Sequence, residues 1–216
     1  MDVFDIHDCF IGVAITAQLT CTIVALKMWY KMQTKTILWL MLYITIEFCR
    51  SSIGIIMASN GIYTSEFYHY SSLLTQTAIF FFAITIIKKK KHQRLTIWGF
   101  VIALLAFTSI ELIESSNYVK MLFEFPVIFE IFAGVVVLND RVHNHEGKQF
   151  KNDPWSVMVM VIVMTQLISM VSLNVGYFCG FFRIEFEQIF VFIVNCISVT
   201  VRFTVISLQL WKFKTY

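Results

Sequence analysis

The chain has little of what a soluble or a disordered protein requires. Only 14% of its 216 residues are charged, and it contains two prolines and eight glycines. Because disordered chains are rich in charge and fibrous chains in glycine or proline, this composition excludes both classes. Hydrophobic residues dominate instead, at 58% of the chain, and 22 residues are phenylalanine. The mean hydropathy of +0.73 therefore predicts a membrane protein.

The residues that would indicate a specific chemistry are also missing from the middle of the apolar runs. No Lys lies there, which excludes a retinal bound as a Schiff base, and no His lies there, which excludes haem held between helices. The chain shows no Ser-His-Asp or Cys-His arrangement and no glycine-rich phosphate loop. Residues 141–146 contain two histidines without the spacing of a zinc site, and we expect a solvated loop there. The sequence thus predicts a protein that is not an enzyme and holds no cofactor or metal.

Seven apolar runs are long enough to cross a bilayer, which requires about 20 residues for a hydrocarbon core of about 30 Å. They cover residues 10–30, 36–58, 67–87, 95–113, 118–138, 155–182 and 186–210. Before the sixth run, Asp153, Pro154 and Trp155 are typical of an N-cap, a first helical position and an interfacial aromatic. The sequence predicts an all-α membrane protein, a bundle of seven transmembrane helices forming a single domain over residues 1–216.

The basic residues predict how this bundle is oriented. Thirteen of the seventeen Lys and Arg residues fall on one side of the predicted membrane, and only Lys120 and Arg183 fall on the other. The thirteen are Lys27, Lys31, Lys35, Lys88, Lys89, Lys90, Lys91, Arg94, Arg141, Lys148, Lys151, Lys212 and Lys214. Because basic loops stay in the cytoplasm, the N-terminus is predicted outside and the C-terminus inside. The net charge of +3 is the difference between two opposed faces and does not indicate nucleic acid binding.

Two smaller features allow alternative interpretations. The run Lys88–Lys91 is typical of a topology anchor that touches anionic lipid headgroups, and the alternative is a dedicated partner-docking or phosphoinositide site. Cys9 and Cys179 both fall near the predicted outer boundary, where a disulfide would persist. They either form that disulfide or remain two free thiols.

Ionisable residues within the runs are costly, so their depth indicates which of them need a partner. Arg202 lies near the inner end of the last run, and we expect its long side chain to snorkel to the headgroups. Glu47, Arg50 and Glu130 lie about 16–21 Å from the ends of their runs, too deep to reach water. Glu47 and Arg50 are spaced i, i+3 on one helix face, so we expect them to neutralise each other.

Neutral polar residues accompany these three charges at mid-run. They are Gln18, Gln76, Gln166, Asn174 and Asn195. Together with Glu47, Arg50 and Glu130, they predict a polar seam through the middle of the bundle. The seam has two interpretations: an interhelical hydrogen-bond network that fixes packing alone, or a ligand or ion site.

Seven runs, an outer N-terminus, an inner C-terminus and basic inner loops resemble the architecture of G-protein-coupled receptors. The motifs of the rhodopsin-like family are absent, since the third run ends Phe82-Ala83-Ile84-Thr85-Ile86-Ile87-Lys88 where an acidic-Arg-aromatic triplet would stand. The sixth run lacks Cys-Trp-x-Pro and the seventh lacks Asn-Pro-x-x-Tyr. With its short loops and Phe-, Ile- and Met-rich runs, the chain is similar to the divergent serpentine chemoreceptors of nematodes. The resemblance carries over no site residues.

The sequence analysis leads to a functional hypothesis. The leading one is a receptor-like protein, in the plasma membrane rather than an endomembrane, that binds a small molecule from outside and couples to a cytoplasmic signalling partner through its basic loops. The candidate ligand-binding residues are Glu47, Arg50, Gln76, Glu130, Gln166 and Asn174. The alternative is a small transporter or channel that uses the seam of Glu47, Arg50 and Glu130 as its path.

Overall fold

A computed structural model describes residues 3–62, 65–112, 125–144, 153–181 and 186–213, with side chains over 8–62, 67–68, 70–109, 127–143, 153–172 and 190–213. Almost all of these residues are helical and none is in a strand. The helices are α1 (Val3–Met32), α2 (Lys35–Ser59), α3 (Ser65–Ile86), α4 (Lys90–Leu112), α5 (Phe125–Asn144), α6 (Pro154–Phe181) and α7 (Phe186–Lys212). The all-α class is therefore confirmed, with one helix for each predicted run.

Four of the helices contain stretches that are long and apolar enough to cross a bilayer: Asp8–Met32, Lys35–Ser59, Pro154–Ser172 and Phe190–Lys212. Tyr70–Ile86 forms a shorter apolar stretch. These four correspond to the first, second, sixth and seventh predicted runs. They make the chain a membrane protein by length and composition, while the crossing of the other three helices stays a prediction.

Three boundaries differ from the predicted ones by five residues or more, and the first is the start of α1 at Val3 rather than residue 10. Helix α4 begins at Lys90 rather than residue 95, so the second half of the basic run is helical. Helix α5 continues to Asn144, and the prediction of a solvated loop is wrong for residues 141–144. The basic end of α5 continues as a helix because Asp140 and Arg141 find partners and are buried there. Residues 118–124 of the fifth predicted run lie outside the described part of the chain.

Local sequence explains the helix ends. Thr34 has extended backbone, and its side chain accepts a hydrogen bond from the N–H of Ile37, as an N-cap does. At the end of α2, Gly61 takes a φ of +70°, a left-handed conformation that glycine adopts without a steric penalty. The predicted N-cap of α6 is confirmed, because Asp153 Oδ2 accepts from the N–H of Ser156 at 3.1 Å and from its hydroxyl at 2.6 Å.

Six of the helices form a closed ring of neighbours. The order around the ring is α1, α2, α3, α5, α6, α7 and back to α1. Helix α4 lies outside this ring, against α5 and, with fewer contacts, α3. The ring of Phe100 on α4 is stacked on that of Phe80 on α3, with centroids 4.2 Å apart. The middle of the ring is thus enclosed by six helices, and α4 is peripheral.

Helices α1, α3, α5 and α7 end on the side of the bundle where α2, α4 and α6 begin. This side is here called the lysine end. Contacts between aromatic side chains stabilise this end. The ring centroids of Trp155 on α6 and Phe213, just after α7, are 4.8 Å apart, and those of Trp39 on α2 and Phe81 on α3 are stacked at 4.3 Å. Most buried side chains at this end of the ring's interior are apolar, and Thr22, Ser156 and Gln209 are buried among them. This apolar layer consists of Cys21, Ala25, Met28, Ile37, Leu40, Phe82, Ile86, Val137, Met158, Ile162, Phe203, Ile206 and Leu210.

Candidate functional site: a polar network inside the helix ring

The first part of the site is the predicted pair on α2. Arg50 Nη1 lies 3.3 Å from Glu47 Oε1, which confirms that the two residues form an ion pair. Glu47 Oε1 also accepts a hydrogen bond of 3.1 Å from the hydroxyl of Thr75 on α3. The guanidinium of Arg50 lies 5.8 Å from the centre of the Tyr68 ring, within the range of a cation–π contact. The pair therefore joins α2 to α3.

The second part connects Glu130 with Arg202 through two neutral groups. Gln166 donates a short hydrogen bond from Nε2 to Glu130 Oε2 and accepts one of 3.1 Å at Oε1 from Arg202 Nη2. The hydroxyl of Tyr43 donates to Glu130 Oε2 at 3.5 Å and accepts from Arg202 Nη1 at 3.3 Å. The described residues show no direct ion pair between Glu130 and Arg202. Their charges are linked through Tyr43 and Gln166, and the linkage spans α2, α5, α6 and α7.

The prediction that Arg202 snorkels to the headgroups is wrong. The residue is only 3% exposed, and its Nε donates to the hydroxyl of Thr165 at 2.8 Å. It lies ten residues before the end of α7, or about 15 Å along the helix. Because that distance exceeds the reach of an arginine side chain and three acceptors surround the guanidinium, the side chain stays in the ring. The polar network is hereafter the set Tyr43, Glu47, Arg50, Thr75, Glu130, Thr165, Gln166 and Arg202.

The remaining predicted site residues have different positions. Gln76 is completely buried, and neither its Oε1 nor its Nε2 has a hydrogen-bond partner. Asn174 lies on α6, but its side chain is outside the described residues. Gln18 donates to the hydroxyl of Ser51 at 3.0 Å, and Asn195 accepts from Ser172 at 3.1 Å. The structure thus places Glu47 and Arg50 in one part of the network and Glu130 and Gln166 in the other, and the described residues show no hydrogen bond between the two parts. Gln76 is buried without a partner.

A small cavity lies beside Glu130, with room for about one water molecule. Its other walls are apolar and come from α3, α5 and α6: Ile79, Phe82, Ala83, Ala133, Gly134, Val137, Val159 and Ile162. Gly134 is packed closely there, since a Cβ at this position would meet Val163 Cγ2 at 2.2 Å. Glu130 is the only ionisable residue among these walls, but its polar atoms do not face the cavity, so the cavity is apolar.

The network is exposed on one side only. The side chain of Arg50 is 26% exposed, whereas that of Glu47 is 8% exposed and Glu130 and Arg202 are 3% exposed as residues. Arg50 is also the network residue farthest from the lysine end along α2. Towards the lysine end, each of the six ring helices continues from its polar residues into the apolar layer. Arg50 is therefore the most exposed member of the network, and mainly apolar side chains lie on the opposite side.

A separate cluster of polar groups holds the lysine end. Asp140 on α5 is fully buried and accepts from the backbone N–H groups of Lys88 and Lys89 at 2.9 and 3.1 Å and contacts His92 Nδ1 at 2.8 Å. Asn139 lies 3.5 Å from the other ring nitrogen of His92. Burial alone would raise the pKa of Asp140. The hydrogen bonds from the N–H of Lys88, from His92 and from the N–H of Lys89 have the opposite effect, and together they lower the pKa. These groups are hereafter the Asp140 cluster.

Two residues of the network that the sequence analysis missed carry a recognisable signal. Tyr43, Glu47 and Arg50 are spaced i, i+4 and i+7, which places Tyr43 on the same face of α2 as the pair. Asn195, Ser198 and Arg202 form a similar polar row on α7. This polar row, unlike the depth of Arg202 alone, indicates that Arg202 faces inward. Nothing comparable marks Asp140, because two of its partners are backbone groups and His92 lies 48 residues away in the sequence.

The network contains two carboxylates and two guanidiniums, so its formal charge is balanced. It offers donors and acceptors but no nucleophile with an adjacent base, and the described residues contain no group of three metal-ligating side chains. Cys9 is an exposed free thiol, and the side chain of Cys179 lies outside the described residues. Neither a family model, nor a curated protein, nor a solved structure matches this chain.

Proposed function

We propose that this chain is a seven-span, non-catalytic receptor of the plasma membrane, with its N-terminus outside and its lysine end in the cytoplasm. A small molecule reaches the polar network from the side of Arg50, and the resulting rearrangement is transmitted to a signalling partner at the lysine end. The observation that carries the proposal is the one-sided access to the network. A receptor requires a site open to the outside and closed to the cytoplasm, and the apolar layer supplies the closure.

The connections of Arg50 supply a route for the signal. A ligand that binds Arg50 competes with Glu47 for the guanidinium, and Glu47 is also bound to Thr75 on α3. Tyr43 lies one turn before Glu47 on α2 and contacts both Glu130 and Arg202. A shift of α2 at Arg50 would therefore change contacts on α5 and α7. A ligand that favours the shifted arrangement increases its population, which is the physical basis of receptor activation.

Binding is tested with the purified full-length chain in lipid nanodiscs. A library of small carboxylates, amines and zwitterions is screened for compounds that raise the unfolding temperature. The proposal expects at least one stabilising compound whose effect is lost in Arg50→Gln and Glu130→Gln. The control is Lys31→Gln, since Lys31 is an exposed cation outside the network. Stabilisation that is equal in Arg50→Gln, Glu130→Gln and Lys31→Gln would contradict the site.

Transport through the seam of Glu47, Arg50 and Glu130 is the competing function. Charges buried in the middle of a bundle, such as Glu47, Glu130 and Arg202, also occur in ion and solute carriers. A transport path would have to cross the lysine end of the ring, where apolar side chains predominate. Reconstituted liposomes are assayed for flux of protons, Na⁺ and small amino acids. Flux that depends on Glu130 would replace the receptor proposal with this one.

The proposed orientation has its own test. A reporter fused after Tyr216 is expected in the cytoplasm, because thirteen of the fifteen cations outside the middle of the spans are on that side. A reporter that reads as external would overturn the orientation without affecting the geometry of the network.

A further inference from the structure

Within the described part of the chain, the basic run at the lysine end has no acidic partner. Lys88, Lys89, Lys90, Lys91 and Arg94 are all exposed, and the described residues form no ion pair with any of them. Two described acids at this end are already engaged. Asp140 is buried against backbone N–H groups and His92, and Asp153 is bound to Arg141 and the start of α6. The described residues therefore leave five positive charges uncompensated.

Their placement on α4 is electrostatically unfavourable. Lys90 and Lys91 lie in the first turn, at the helix terminus where the partial charge is already positive. Arg94 follows them at i+4 and i+3, so like charges face each other on the helix surface. Both effects destabilise the helix start in the isolated chain. An external anion would remove both.

An exposed apolar row continues directly from these cations. Lys91, Leu95, Trp98, Ile102 and Leu105 are spaced 4, 3, 4 and 3 residues apart and therefore share one side of α4. The four apolar members are 47%, 66%, 63% and 61% exposed. The side of α4 that packs on the ring is a different one, formed by His92, Thr96, Ala103 and Phe107. Helix α4 thus presents a cationic start followed by a continuous apolar row.

We propose that α4 binds an anionic phospholipid of the leaflet at the lysine end. The phosphate of its headgroup contacts Lys88, Lys91 and Arg94, and one acyl chain lies along the row from Leu95 to Leu105. The length of the row also matches the length of an acyl chain. Ile102 is eleven residues beyond Lys91, or about 16 Å along the helix. One leaflet, which is half of a hydrocarbon core of about 30 Å, has nearly the same thickness. A free phosphate or an acidic peptide would use the cations but not the apolar row, which is why the geometry favours a lipid.

The charge requirement is tested on the full chain purified from a bilayer containing phosphatidylcholine and phosphatidylserine in equal amounts. Native mass spectrometry gives the ratio of the two lipids retained. The double variant Lys88→Gln/Lys91→Gln keeps the backbone N–H that Asp140 uses and leaves eleven of the thirteen cations on that side. Each cation near the surface contributes about fivefold, so the phosphatidylserine preference should fall by at least about 10-fold.

The control is Lys27→Gln/Lys31→Gln, which removes two exposed lysines from the same end on α1. This control should keep the preference. Equal loss in the two double variants, or no loss in either, would overturn the proposal. Displacement of the retained lipid by inorganic phosphate or by a poly-glutamate peptide would also overturn it, because either result would make the site one for a soluble anion or an acidic protein.

The apolar row is tested separately by fluorescence quenching. Phosphatidylserine with brominated acyl chains should quench tryptophan emission more strongly than brominated phosphatidylcholine at equal amounts. That excess should disappear in Trp98→Phe, which keeps an aromatic side chain in the row. The same excess in wild type and variant would contradict the acyl-chain position. None of these readouts involves the polar network, so the receptor proposal stands or falls independently.

Discussion

The polar network and the Asp140 cluster both bury charge, but they stabilise it differently. In the network, two carboxylates and two guanidiniums lie on α2, α5 and α7, and the neutral side chains of Tyr43 and Gln166 connect Glu130 with Arg202 across the ring. In the Asp140 cluster, one carboxylate of α5 is stabilised mainly by backbone N–H groups next to the start of α4. The network therefore depends on the relative positions of several ring helices, whereas the cluster depends only on how α5 meets the start of α4. A movement of α2, α6 or α7 would change the network and leave the cluster intact.

The largest expected effect is in the network. Arg202→Met keeps much of the side-chain volume and removes the only donors to Thr165 and to Gln166 Oε1 that the described residues provide. Because it leaves Glu130 buried without its opposite charge, we expect a loss of about 3–5 kcal/mol in the free energy of unfolding. Unfolding in mild detergent, followed by circular dichroism, measures it. Arg94→Met is the control and should change stability by less than about 0.5 kcal/mol. Similar losses in both variants would show that Arg202 is not held as described.

A smaller effect tests the linkage itself. Tyr43→Phe removes one hydroxyl and leaves both charges in place, so Arg202 Nη1 and Glu130 Oε2 each lose a partner. We expect a loss of about 2–3 kcal/mol, the range for buried polar groups left without a hydrogen bond. Tyr30→Phe is the matched control, since Tyr30 is 81% exposed. If Tyr43→Phe is as stable as Tyr30→Phe, Gln166 alone connects the two charges.

The Asp140 cluster should respond to pH. Because the folded pKa of Asp140 lies below its usual value of 3.8, its contribution to stability is present above about pH 4 and is lost as the pH falls through the folded pKa. Asp140→Asn should cost about 1.5–2 kcal/mol at pH 7. The difference between wild type and variant should shrink as unfolding is measured from pH 6 down to pH 3. A difference that stays constant over that range would mean that the charge of Asp140 is unimportant.

The smallest expected effect is at the start of α6. Asp153→Ala removes the N-cap and the partner of Arg141 and should cost about 1 kcal/mol. Asp153→Ser keeps a capping hydroxyl and loses only the contact with Arg141. If the alanine and serine variants are equally destabilised, the ion pair rather than the cap contributes the stability.

The difference between the polar network and the Asp140 cluster also explains which of their residues could be predicted from the sequence. Depth within an apolar run identified Glu47, Arg50 and Glu130, because a charge far from water must face the interior. Depth did not predict the position of Arg202. Its long side chain could either reach the headgroups or point into the ring, and only the acceptors on α2 and α6 decide between these two orientations. Two partners of Asp140 are peptide groups, which every residue carries, and the third, His92, is far away in the sequence, so no local pattern marks them. The contact of Gln166 with Glu130 agrees with the predicted seam, whereas the closure of the ring around it depends on helix packing.

The linkage between Arg202 and Glu130 has a fixed direction. An arginine can only donate hydrogen bonds and a carboxylate can only accept them, so the hydroxyl of Tyr43 has one usable orientation and the amide of Gln166 has one usable flip. Arg202 and Glu130 therefore determine where the hydroxyl proton of Tyr43 and the amide protons of Gln166 lie. Gln76, with neither of its amide atoms engaged, has no such assignment. The interior thus combines two side chains, Tyr43 and Gln166, whose hydrogen bonds determine their orientation, with Gln76, whose amide no described residue orients.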